Sequence, residues 1–246
     1  MKHNLALAAR VLSAVLILFP WAAQAQFFSN YYYPSYGPQF LLGASIGASV
    51  WPDEVGSTAG WLNGAYASTA SSSPGNPLVT FGRQDQTEFG AKAYGDAWIT
   101  PNVGLEAGFT WLGQIGWRAY STNATGSFAV DSSGTVMAHA WYEAVQLGLD
   151  SYGVRYFVKG GAYEASTELE GNNYNLNTGA GSGASATVHN TGGLVGVGFF
   201  TEYGHTSLRF EVEDYINLGT SSSPIAQIPP WRGSVVLISA GVAYLF

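Results

Sequence analysis

The sequence predicts an all-β protein, an eight-stranded antiparallel transmembrane β-barrel with short periplasmic turns and four long extracellular loops. Three observations carry that prediction. Of 246 residues, 47% are hydrophobic and 15% aromatic but only 10% charged, against roughly 25% charged in an average globular chain. The longest apolar runs fall short of the roughly 20 residues that a spanning helix needs. Apolar residues alternate with small, polar or charged ones in segment after segment, which is the period of strands. Inside a bilayer every backbone polar group must be satisfied internally, so only helices and closed barrels span it. A low-charge, glycine-rich chain (32 Gly) without a helical span therefore points to the barrel.

Residues 1–25 read as a targeting segment. Lys2, His3 and Arg10 make a basic start, residues 11–21 an apolar middle, and Ala23 and Ala25 a small-x-small cleavage signature. Sec-type export then leaves a mature chain starting at Gln26. Without Lys2 and Arg10, seven basic residues face sixteen acidic ones, a net charge of −9. Such a surface excludes nucleic acid as a partner, because phosphate binding needs a basic patch. There are no cysteines, so no disulfide contributes despite the exported location. Residues 26–38 form an aromatic-rich tether, and the barrel domain occupies 39–246.

The first strand, 39–51, puts Phe40, Leu42, Ala44, Ile46, Ala48 and Val50 on one face, with Gly43, Ser45, Gly47 and Ser49 on the other. The second, 87–99, opposes Phe89, Ala91, Ala93, Ala97 and Ile99 to Glu88, Lys92, Asp96 and Trp98. Thr100-Pro101-Asn102 is a tight turn, since proline presets one dihedral and asparagine tolerates the return. The third strand, 103–112, opposes Leu105, Ala107, Phe109 and Trp111 to Glu106 and Thr110. In the fourth, about 136–149, Val145, Leu147 and Leu149 share their parity with Glu143. Either a bulge switches parity there or Glu143 faces outward near the interface, where an acid costs less. The alternation leaves both open.

The fifth strand, 154–166, opposes Tyr156, Val158 and Ala162 to Arg155, Lys159 and Tyr163. The sixth, 191–203, opposes Val195, Val197, Phe199 and Tyr203 to Glu202. After the turn 204–206, the seventh alternates Leu208, Phe210, Val212 and Ile216 with Arg209, Glu211, Glu213 and Tyr215. The eighth, 234–246, presents Val236, Ile238, Ala240, Val242, Tyr244 and Phe246 on one side. Connections at 100–102, 151–152 and 204–206 are short, while 52–86, 113–135, 167–190 and 218–233 are expected as long loops. This asymmetry is the habit of outer-membrane barrels. A soluble eight-stranded barrel would have an apolar lumen and a polar outside, whereas here the charges gather on the inferred inner face.

The segments GAKAYGDAWITPNVGLEAGFTWLG (90–113), SLRFEVEDY (207–215) and SAGVAYLF (239–246) resemble the small OmpA-like outer-membrane barrels, including the opacity-type porin-family proteins. The resemblance spans about 39–246. It implies location in the outer membrane of a Gram-negative bacterium, with lipid and lipopolysaccharide around the wall. The terminal alternation, with Tyr244 and Phe246, is similar to the family's signal to the barrel-assembly machinery. Larger members add a periplasmic peptidoglycan-binding domain, for which 39–246 leaves no residues. For function the resemblance implies envelope integrity, loop-mediated adhesion to an unidentified ligand, or passage of small solutes.

The candidate site residues are the inward charges Glu88, Lys92, Asp96, Glu106, Arg155, Lys159, Glu202, Arg209, Glu211 and Glu213. They read either as a salt-bridged plug or as the lining of a narrow ion path; eight strands leave room for little more than side chains. A structural and surface-interaction role is the expectation, ahead of a narrow channel. An enzyme ranks third. His205-Thr206-Ser207 is similar to the His-x-Ser element of lipid A deacylase barrels, with Glu211 or Glu213 as orienting acid. However, His205 falls in an expected periplasmic turn, on the wrong side for that chemistry. His139 and His189 lack the spacing of a metal motif, and residues 179–183 lack the lysine of a phosphate loop. No cofactor or metal is expected.

Overall fold

The computed structural model describes residues 38–51, 78–123, 129–221 and 231–246. The expected targeting segment, with Ala23 and Ala25, lies outside the described residues, as does the tether up to residue 37. Among the described residues nine strands run in order: β1 (Gln39–Val50), β2 (Leu78–Gln84), β3 (Thr87–Thr100), β4 (Val103–Asn123), β5 (Ala129–Ser151), β6 (Val154–Asn175), β7 (Gly181–Tyr203), β8 (Thr206–Thr220) and β9 (Trp231–Leu245). β3, β4, β5, β6, β7, β8, β9 and β1 pair in turn, all antiparallel, and β1 pairs both β9 and β3. The sheet therefore closes as an eight-membered ring. β2 pairs β4 above the end of β3, so it continues the β3 position rather than adding a ninth stave.

The turn end of the barrel is tightly made. Thr100 Oγ1 accepts hydrogen bonds from the amides of Asn102 (3.3 Å) and Val103 (3.0 Å), and Asn102 Nδ2 donates to the Gly148 carbonyl at 2.9 Å. Ser151 pairs with Val154 across Tyr152 (φ 52°) and Gly153 (φ 79°). Two consecutive left-handed residues match the twist of the flanking strands. At the third turn, the Leu245 amide donates to the His205 carbonyl (2.8 Å) and the Phe246 amide to the Phe40 carbonyl (3.0 Å), which ties the chain end to β1.

The loop end differs from the expectation. Most of 113–135 and 167–190 is paired strand: β4 to β7 rise well above the tops of β1, β8 and β9. Part of 52–86 is also strand, as β2. Above the ring one face stays buried, at Trp117, Ser121, Ser132, Thr167, Leu169 and Asn173, but small polar residues fill it alongside apolar ones and the opposite face is polar, so the apolar outward alternation of a wall strand is missing. The ring and the projecting sheet meet at irregularities. Register shifts fall between Trp111 and Gln114 in β4 and between Tyr215 and Leu218 in β8, with positive φ at Gly113 (85°), Asn217 (68°) and Gly219 (86°).

The ladder resolves Glu143. Its pairs with Ala107 and Ala162 lie in unbroken registers, and it is exposed on the outer face like Val145. Parity does not switch there; the shift lies in β4 instead. Eight residues above Ser151, on a strand tilted as barrels require, Glu143 stands roughly 20 Å from the turn end.

Within the projecting sheet, Arg118 grips Asp131 through two hydrogen bonds, Nε to Oδ1 at 2.9 Å and Nη2 to Oδ2 at 2.5 Å. These bonds and the guanidinium charge hold the Asp131 carboxyl below its ordinary range. A depressed acid favours the folded sheet above the free value near 3.9, and that contribution fades as pH falls through the lower folded value. The Asp131 carboxyl carbon should therefore titrate below about 3.9 by NMR and return toward it in Arg118→Gln. A midpoint at the free value in the unaltered protein would remove the clamp.

Candidate functional site

Inward-facing side chains fill the lumen in layers. Nearest the turns, Trp98, Phe157 and Phe200 are buried with Arg155. The Arg155 guanidinium lies 4.7 Å from the Trp98 ring centre and 5.4 Å from that of Phe200. Its Nε donates to Asp150 Oδ1 at 2.6 Å and its Nη1 to Gln39 Oε1 at 3.0 Å. A cation held between two aromatic faces and a carboxylate needs little water.

The layer above is ionic. Arg209 Nη1 reaches Asp96 Oδ2 at 2.5 Å, and its Nη2 bridges Glu106 and, at 3.0 Å, Glu211. Lys159 Nζ lies 2.7 Å from Glu106 and 2.5 Å from both Glu211 and Glu213. Lys92 Nζ pairs with Glu211, with Glu213 at 3.1 Å and with Glu106 at 3.3 Å. Neutral groups complete it: Tyr142 donates to Glu106 at 2.6 Å, and Gln146 Nε2 to Asp96 (2.6 Å) and Glu106 (2.7 Å). Arg209 also stacks over Tyr94 and Phe157, at 4.6 and 4.4 Å. These charged residues come from β3, β4, β6 and β8, so the network ties one side of the ring to the other. Burying such charges is tolerable because each meets several partners.

Above it, Tyr215 hydrogen-bonds Thr110 at 2.7 Å, and Tyr163 donates to the Ile216 carbonyl at 2.8 Å. Then comes an apolar layer of Leu112, Ile115, Leu194, Leu218, Val235 and Leu237, each 0–1% exposed. Trp51 packs on Trp231 at 5.1 Å, and its Nε1 donates to the Leu112 carbonyl at 3.1 Å. The ionic layer is thus closed off by aromatic and apolar side chains on both sides.

Of the ten candidate charges, Lys92, Asp96, Glu106, Lys159, Arg209, Glu211 and Glu213 meet in one cluster. Arg155 sits one layer lower. Glu88 and Glu202 are half-buried and do not join it. Glu88 lies near the loop end, its carbonyl accepting from Ser49 Oγ at 3.3 Å, and Glu202 lies beside the β7–β8 turn. Alternation gave them an inward face but no depth. Gln146 and Tyr142 were missed because, with the parity of the fourth strand open at Glu143, neither could be assigned a face.

The Glu106, Glu211 and Glu213 carboxylates offer oxygens within 4.8 Å of one another. The Lys92 and Lys159 ammonium groups hold the position a metal ion would take, so the donor set is neutralised from within. The triad reading is not assembled either. His205 is exposed at the turn, stacked on Tyr244 at 5.6 Å with Nδ1 3.0 Å from the Leu245 carbonyl, while Glu211 and Glu213 are deep in the ionic layer. Phe246 is exposed at the chain end, edge-on to Tyr244 at 5.0 Å.

The outside of the ring is largely apolar, Glu143 being an exception. Phe40, Leu42, Ile46, Phe89, Leu105, Val145, Leu147, Leu149, Val158, Val195, Leu208, Phe210 and Val242 are all about half exposed or more, and they come from all eight staves of the ring. Monomeric soluble proteins rarely expose contiguous apolar patches beyond a few hundred Å².

No protein-family model matches the chain. Solved structures similar to it include the attachment invasion locus protein Ail of Yersinia pestis (12% identity, TM-score 0.44, covering 86% of this chain and 100% of that one). The outer membrane protein OprG from Pseudomonas aeruginosa has 8% identity and TM-score 0.47, covering 85% and 97%. Neisserial surface protein A has 10% identity and TM-score 0.38, covering 85% and 99%.

Proposed function

We propose that the chain spans the outer membrane of a Gram-negative bacterium as a closed structural barrel, and acts through its projecting sheet and loops as a surface-interaction protein. The inversion of the barrel carries this reading: the ionic cluster is sealed inside, while apolar side chains dominate the outside. Such a wall has lipid and lipopolysaccharide as its solvent, as the outward apolar band of transmembrane barrels does. On this reading the short turns face the periplasm, and Phe246 is available there to the assembly machinery. The layered lumen speaks against a narrow channel, because ions would have to cross an aromatic layer that holds Arg155 and an apolar layer as well as a neutralised ionic one.

Cysteines placed at Ser182 and Ser151 test the topology. In intact cells a membrane-impermeant maleimide should label the Ser182 site and not the Ser151 site. In planar bilayers the purified protein should give no resolved conductance steps. Labelling only at Ser151 would invert the barrel, and stable ion currents would replace the structural reading with a channel.

A further inference from the structure

β7 pairs with β6 along nearly its whole length, from Tyr174↔Gly181 to Val154↔Thr201. Its pairing with β8 begins only at Gly193↔Ile216. The two strands part at Asn190, whose Nδ2 donates to the Asn217 carbonyl at 2.8 Å and whose Oδ1 accepts from the Gly219 amide at 3.2 Å. Beyond that clasp, residues 181–189 keep one side of the strand without a ladder partner among the described residues, and every one of them is exposed or half-exposed. Natural edges are usually blunted by lysine, proline, a bulge or inward charge. This one, GSGASATVH, has no lysine, acid or proline, and its register with β6 is regular.

The neighbouring strand supplies the chemistry. Glu168 and Glu170 of β6 are exposed on the outer face and pair with Thr187 and Ser185 of β7. Glu164 extends the acidic row toward the barrel. A strand added to β7 would lie two strand spacings from these carboxylates, about 9.6 Å. That is within the combined length of a lysine and a glutamate side chain, and only Ser and Thr stand between. At the hairpin tip, Tyr174 and Leu176 are about half exposed and offer apolar contact at the end of the same edge.

We propose that the open edge of β7 over residues 181–189 binds an extended polypeptide carrying basic residues at alternate positions, by strand addition. Main-chain hydrogen bonds to the edge give the affinity, and the Glu168–Glu170 row selects the charge and face. The inference rests on the surface-interaction reading above and names its partner class.

A fluorescent decapeptide of alternating lysine and valine, its Glu-Val counterpart, and the full chain in non-ionic detergent provide the test by anisotropy. The Lys-Val peptide should bind at least about tenfold more tightly than the Glu-Val peptide, and Glu168→Gln/Glu170→Gln should remove about that factor. Successive residues of an antiparallel strand aim their amides at opposite edges. Of Thr187→Pro and Val188→Pro, one therefore removes a donor from the open edge and the other from the β6 ladder. Whichever retains cooperative unfolding should lose binding. If both unfold, the double glutamine variant decides alone.

Equal binding of both peptides, or undiminished binding by the double glutamine variant, would overturn the proposal. Should that happen while Ser182 still labels from outside and no current flows, only the edge assignment falls. Labelling from the wrong side would take the surface reading with it.

Discussion

Arg209→Ala is expected to destabilise the barrel by about 3–5 kcal/mol, the usual cost of removing one member of a buried ionic set. The residue is 2% exposed, and its guanidinium bonds Asp96, Glu106 and Glu211 at once. Without it, four carboxylates confront two lysines in a layer that apolar side chains close off above and aromatic ones, with Arg155, below. The variant should unfold from micelles at a clearly lower denaturant concentration. Arg209→Lys should fall between the two, because it keeps the charge but not the fork that reaches three acids. An unchanged midpoint for Arg209→Ala would mean that water enters the layer and that the network contributes little to stability.

Gly47→Ala should also be disruptive, for a different reason. Gly47 lies in β1 opposite Ser239 of β9 and Gly90 of β3. A methyl group there would overlap the Ile238 carbonyl oxygen and lie 2.7 Å from the Ser239 Cα. Both obstacles are backbone, so no rotamer can yield, and β1 would have to move away from the strand that closes the ring. Overpacking of this kind costs about 1–3 kcal/mol, and here it falls on the closing seam. Gly95→Ala is the control, since its methyl would meet nothing nearer than the Leu41 carbonyl at 3.9 Å. Heat-modifiable migration on gels and denaturant midpoints should separate the two variants. Equal behaviour would show that the seam adjusts freely.

How far the fold is legible in the residues depends on whether two different solvents meet across a strand. In β1, β3 and β8, an apolar outer face and a lumen face of small, polar or charged side chains leave a two-residue signature, so alternation alone assigns faces to Phe40, Lys92, Asp96 and Arg209. Above the ring the outer face turns polar, and the inner face, though buried, mixes Trp117 and Leu169 with Ser121, Ser132 and Thr167, so the contrast weakens. Stretches such as 114–123 and 181–190 therefore read as loops, although they are paired strand. Depth is illegible for a related reason: parity repeats every two residues and contains no height. Glu88 and Glu202 therefore enter the candidate network with Glu106, although they lie near opposite ends of the barrel. Gln146 enters only once the unbroken ladder through Glu143 fixes its face.

The continuous pairing of β5, β6 and β7 restricts how this surface can be lengthened or shortened. An insertion of one residue above the ring would turn every later side chain over, carrying Glu168 and Glu170 inside and Leu169 outside. Adding two residues to each arm of a hairpin preserves the faces and raises its tip by about 6.6 Å. The height of the projecting sheet above the ring is thus quantised, like the teeth of a ratchet. Variants of this scaffold that still fold should differ in reach by whole steps, while the ionic layer beneath them stays where it is.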